Sequence, residues 1–139
     1  MSLERAIHRR WASYRPLVDL VSADRFRTQT LPAEGGQPME APPYVTLERL
    51  DGTRGQGIIR TSGQRTLAAQ GVRFNIWAGD LDVAKRIRQA IADRYSRQHF
   101  GAGGVIVQDM KLLQRDDSEG DDGLWHLTDD YLVRTETTE

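Results

Sequence analysis

Two stretches of this chain concentrate the side chains that could do chemistry. The run Asp116-Asp117-Ser118-Glu119-Gly120-Asp121-Asp122-Gly123 holds five carboxylates in eight residues, and a hard cation such as calcium needs several oxygens around one point. The spacing does not converge them. Counted from Asp117, glycine falls at the seventh position instead of the sixth that turns an EF-hand loop, and Thr128 stands where the bidentate glutamate belongs. The run reads as a solvated acidic loop between two strands, without a bound metal. The second stretch, Asp51 to Arg65, sets Arg54, Arg60 and Arg65 among Gly52, Gly55, Gly57 and Gly63, a mobile polar loop or the tip of a long hairpin. Its guanidinium groups could meet phosphates. No aromatic side chains interleave them, however, and the chain as a whole is not basic, which argues against direct nucleic-acid binding.

Motifs for catalysis or cofactor binding are missing. Gly55-Gln56-Gly57 and Gly101-Ala102-Gly103 begin like a dinucleotide fingerprint, but Arg60 and Ile106 stand where its third glycine should be, and neither stretch opens a helix that could hold a pyrophosphate. Ser62 lacks the preceding glycine of a nucleophile elbow. His8, His99 and His126 lie far apart, none in a zinc-binding HExxH pair. With no cysteine, a disulfide framework, a thiolate zinc site and a cysteine nucleophile are excluded. The expectation is a protein that is not an enzyme and carries no cofactor. The alternative to a structural role is a small non-catalytic ligand-, protein- or nucleic-acid-binding α+β module.

The elements that must position these groups follow from periodicity. Leu3, Ile7, Trp11 and Tyr14, with Ala6 beside them, mark one face of a helix capped by Ser2. Pro16 either stops it or starts a short second turn to Val21, and residues 25–31 form a weak strand. Pro32 to Pro43, with four prolines, is a loop. Tyr44 to Leu50 reads as a strand, and Val72, Phe74, Ile76 and Ala78 alternate with Arg73, Asn75 and Trp77 in the clearest half-buried strand. Asp80 to Gln98 is the best helix, its apolar arc running from Val83 and Ala84 to Tyr95, with Asp82–Arg86 and Asp93–Arg97 as i,i+4 pairs. A glycine break at Gly101 to Gly104 precedes a strand from Val105 to about Leu113. The last strand aligns Trp125, Leu127, Tyr131 and Val133 on one face.

The 139 residues suit one domain, 1–134, ending in a disordered tail from Thr135 to Glu139. The expected class is α+β: a mainly antiparallel sheet of four to five strands with two principal helices packed on one face. Apolar runs are only a few residues long, so no bilayer span and no membrane partner are expected, and Met1 to Arg10 does not read as a secretory signal. Charge is unevenly spread. Residues 1–100 carry 16 basic and 10 acidic side chains, a balance of +6, while residues 101–139 carry 3 and 10, a balance of −7.

The succession Pro43-Tyr44-Val45-Thr46-Leu47, a Gly-rich interval, Val72-Arg73-Phe74-Asn75-Ile76-Trp77-Ala78 and a helix with early Ala84, closed by a strand after Gly123-Leu124-Trp125, resembles the tail-completion (tail-terminator, head-tail joining) family of long-tailed phages and prophages. The resemblance covers nearly the whole chain, through its order and spacing of short apolar motifs. It implies a structural assembly protein without catalytic residues that caps the tail tube as a homo-oligomeric ring, six-fold, and offers that ring to the head connector. The implied partners are itself, the tail-tube protein and the connector protein. The implied locations are the host bacterial cytoplasm during assembly and the virion tail afterwards. The candidate interface residues are Asp116, Asp117, Glu119, Asp121 and Asp122 on one side, facing an arginine-bearing surface on a neighbouring subunit or on the tube, with Arg54, Arg60 and Arg65 as its first candidates.

Overall fold

The alternation around Phe74 belongs to a strand twice as long as its apolar members. In a computed structural model, which describes residues 2–28, 41–63, 65–102 and 104–138, strand β4 runs Arg65–Ala78 and the final strand β7 runs Trp125–Thr138. The two pair antiparallel along their whole length, from Arg65↔Thr138 to Ala78↔Trp125. On the far side of β7 lies β6, Val105–Glu119. On the other side of β4 two strands share the edge: β2 (Tyr44–Leu50) pairs with its second half and β3 (Gly57–Ser62) with its first. Short β1 (Phe26–Thr28) lies parallel to β2, and β5 (Phe100–Ala102) is antiparallel to the start of β6. The result is one mixed seven-stranded sheet, ordered β1-β2-β4-β7-β6-β5 with β3 beside β4. The helices are α1 (Leu3–Ala12), one-turn α2 (Arg15–Val18) and α3 (Leu81–Tyr95).

This corrects the expected antiparallel sheet of four to five strands with two principal helices. Sheet dominates, and the extra strands come from segments that look like loops. Ile58 to Thr61 are mostly β-branched and find partners on β4, with Gly63 at φ 58° closing the hairpin. Gly71 lets the turn before β3 fold over the sheet, since a Cβ there would sit 2.0 Å from Thr53 Oγ1. The acidic segment is strand as far as Glu119, and β7 continues to Thr138, where a frayed tail was expected from Thr135. Most of the Pro32–Pro43 loop lies outside the described residues.

One sheet face is covered. Val72, Phe74, Ile76 and Ala78 on β4, Val45 and Leu47 on β2, and Leu127, Tyr131 and Val133 on β7 are all buried with Ile7, Trp11, Ile87 and Ile91 of the helices. Phe74 sits at the centre, its ring 5.3 Å from Tyr95, 5.7 Å from Tyr131 and 6.0 Å from Phe26. Two of the buried aromatics bond backbone with their polar ends, Trp11 Nε1 donating to Val21 O at 2.9 Å and the Tyr95 hydroxyl to Ile7 O at 2.6 Å, whereas the buried Tyr131 hydroxyl makes no hydrogen bond among the described residues. Two arginines lock the helix ends together. Arg10 Nε donates to Arg94 O at 2.9 Å and Arg94 Nε to Arg10 O at 3.1 Å, while their guanidinium carbons lie 4.5 Å and 4.7 Å from the ring centres of Phe100 and Tyr14. Ser2 caps α1 and Asp80 caps α3, as their types dictate. The anticipated Asp93–Arg97 pair does not form: Asp93 accepts from Gln89 at 2.9 Å, and Arg97, past the helix end, reaches Asp109 at 2.7 Å.

Candidate assembly surface

The three arginines lie on a hairpin arm, the second of the two forms expected for this segment. Arg54 precedes β3, Arg60 is within it and Arg65 opens β4; all three are exposed. Arg65 pairs with Glu136 at 3.3 Å, while Arg54 and Arg60 make no ion pair among the described residues. Beside them Ile58 and Ile59 are 75% and 55% exposed. Ile59 is the extra residue of a bulge, lying between the pairs Ile58↔Ala68 and Arg60↔Leu67. Among the described residues β3 pairs only with β4, so its outer edge is open.

The acidic residues are also on strand, in a hairpin at the other end of the sheet. Asp116, Asp117 and Glu119 lie on β6, and Asp121 and Asp122 in the turn to β7. Two of the five are drawn toward α3: Asp117 Oδ1 lies 2.7 Å from Arg88 Nη2, and the Asp116 carbonyl accepts from the same nitrogen at 3.1 Å. Glu119, Asp121 and Asp122 are exposed, Asp122 bonding only the turn backbone at Leu124. A strand sends successive side chains to opposite faces, and among the described residues no three His, Asp or Glu side chains gather as metal ligands.

The sheet keeps the two charge sets apart. Arg65 lies opposite Thr138 at one end of β7, and thirteen residues along the same ladder Ala78 lies opposite Trp125, next to the acidic turn; that separation is about 43 Å at roughly 3.3 Å per residue. The expected contact between arginines and acids is therefore not made within one chain.

Other polar groups were missed in the sequence. On the uncovered sheet face, Trp77 stacks on His126 at 3.7 Å and on Tyr44 at 6.0 Å, His126 Nε2 lies 2.9 Å from Asn75 Oδ1, and Asn75 donates to Glu48 at 3.0 Å. Arg73 grips Asp130 with two bonds, 2.7 Å and 3.0 Å long. Burial, helped by the Arg73 charge, pulls the His126 imidazole below its ordinary pKa. On the covered face Asp129 is fully buried, 2.9 Å from Arg88 Nε and 3.5 Å from Arg115 Nε. The alternation Trp125, Leu127, Tyr131, Val133 already pointed Asp129 inward; nothing in the sequence pointed to Arg88. His8 is a packing residue, 2.8 Å from Ala23 O and stacked on Phe26.

No protein-family model matches the chain, and no curated protein matches it in sequence. Among solved structures, a chain of the "Virion of native gene transfer agent (GTA) particle" superposes with a TM-score of 0.69 over 97% of this chain and 95% of that one, at 13% identity. The fold is one found in a virion particle. The match runs nearly end to end in both chains. No described helix is long and apolar enough to cross a membrane.

Proposed function

We propose that the chain is a structural component of a phage-like virion that closes the end of the tail tube as a ring of identical subunits and joins it to the head connector. The observation that carries this reading is the near end-to-end likeness in fold to a chain of a gene transfer agent virion, which agrees with the sequence resemblance to tail-completion proteins. Opposite charges held about 43 Å apart can be paired by a head-to-tail contact between successive copies. Such contacts close into a ring when the rotation between neighbours fits. The role is assembly, not catalysis, with the tail-tube and connector proteins as partners. It is carried out in the host bacterial cytoplasm and then in the virion tail.

Sedimentation and electron microscopy of the purified chain test the ring: six copies of a 15.7 kDa chain give particles of about 94 kDa with a central opening. Deleting the gene from a particle-producing genome tests the place of the ring. Heads unattached to tubes are expected, and normally joined particles would refute the role.

A further inference from the structure

Among the described residues, besides its short terminal strands β1 and β5, the sheet leaves two longer stretches of edge without a strand partner, at opposite sides of the molecule. One is β3, Gly57–Ser62. The other is the later part of β6, which β5 covers only from Val105 to Val107. Beyond that point the Met110 carbonyl accepts from Arg97 N and the Asp116 carbonyl from Arg88, and residues 113–119 are all exposed. Each edge carries an apolar residue at a bulge. Ile59 has no register partner on β4, and Leu113, 42% exposed, has none on β7. Together with Ile58 these are the only exposed large hydrophobic residues among the described ones. A bulge and an arginine normally guard an edge against stray pairing, but two adjacent exposed isoleucines undo that protection. The charges match as well: Arg54 and Arg60 flank the isoleucines, and Glu119, Asp121 and Asp122 follow Leu113.

Resting on the ring reading, we infer that β3 of one copy lies along the open edge of β6 of the next copy, from Leu113 to Glu119. Ile58 and Ile59 cover Leu113, and with the two strands antiparallel Arg54, the arginine before the isoleucines, lies toward the acidic turn. The apolar seam supplies the affinity, and the charges set encounter and register. Because the two edges lie on opposite sides of one sheet, each copy keeps a free edge after pairing, so the contact propagates until it closes. The occupant of the arm is therefore a second copy of this chain.

The chain has no cysteine, so disulfide trapping reads the contact directly. A mixture of Ile59→Cys and Leu113→Cys chains should oxidise mainly to the mixed dimer, and the double variant should form a covalent ladder. Predominant Ile59→Cys homodimers would overturn the inference. A wild-type ring without the mixed cross-link would also overturn it and leave the ring reading standing; the mixed cross-link in open filaments would support the contact and refute the ring. A chain that stays monomeric at high concentration would overturn the contact. A second test uses only surface changes. Chains with Arg54→Glu, or with Asp121→Lys and Asp122→Lys, should each associate at least tenfold more weakly at low salt, and mixing the two should restore association. Failure of the mixture to recover would overturn the pairing.

Discussion

Asp129 and Asp130 are neighbours on β7, yet the strand sends them to opposite sheet faces with opposite consequences. Asp129 points beneath α3 and is fully buried; its partner Arg88 comes within 2.9 Å but is not aligned as a hydrogen bond. Burial raises its pKa against the pull of Arg88 and Arg115. Asp130 points to the uncovered face, where Arg73, one strand away on β4, meets it with a two-pronged grip and raises its own pKa in doing so. The covered ion pair ties a helix to two strands at a large desolvation cost, whereas the uncovered one is formed in register within the sheet and meets water through Arg73, Asp130 itself being buried.

Four measurements would sharpen or break this contrast. The largest effect should come from the centre of the covered face: Phe74→Ala is expected to cost about 4 kcal/mol in denaturant unfolding, because the ring is fully buried among three others. Next, Arg88→Met should cost about 3 kcal/mol by stranding Asp129 in the core, and Arg73→Met on the open face only about 1 kcal/mol, because solvent at the exposed guanidinium screens that pair. Equal costs for the two would erase the contrast. Third, the faces should respond oppositely to pH. The raised pKa of Asp129 gives stability that is present below its ordinary 3.8 and is lost as pH rises through the folded value. The lowered pKa of His126 gives stability that is present above 6.5 and is lost as pH falls through the folded value. In unfolding measured against pH, Asp129→Asn should flatten the first slope and His126→Gln the second. Smallest of all, Asp121→Lys with Asp122→Lys should shift stability by no more than about 0.5 kcal/mol, although it alters association.

How much of this was legible depended on whether a residue's environment came from its neighbours in sequence or across the sheet. Val72 to Ala78 and the helix faces from Leu3 to Trp11 and Ala84 to Tyr95 declared themselves, since each buries a repeating apolar set. β3 did not, because four glycines and three arginines between Asp51 and Arg65 outweigh Ile58, Ile59 and Thr61 in any local reading. Asp116 to Glu119 look like loop by composition and become strand because β7 pairs with them and Arg88 holds the Asp117 carboxylate and the Asp116 carbonyl. For the assembly surface the charged groups were legible, but their placement at opposite ends of one long ladder was not. The Arg88–Asp129 pair joins residues on a helix and a distant strand that no periodicity connects.

The crossed arginines at the ends of α1 and α3 bear on the order in which the chain takes shape. Arg10 and Arg94 are 84 residues apart, so on the ribosome α1 is finished long before the carbonyl and guanidinium that complete its last turn exist. A helix of ten residues is marginal by itself, and its buried side, Ile7 and Trp11, has no sheet to rest on until β4 and α3 have emerged. α1 thus settles only after segments that follow it by many residues in the chain, its apolar stripe unburied until they have formed.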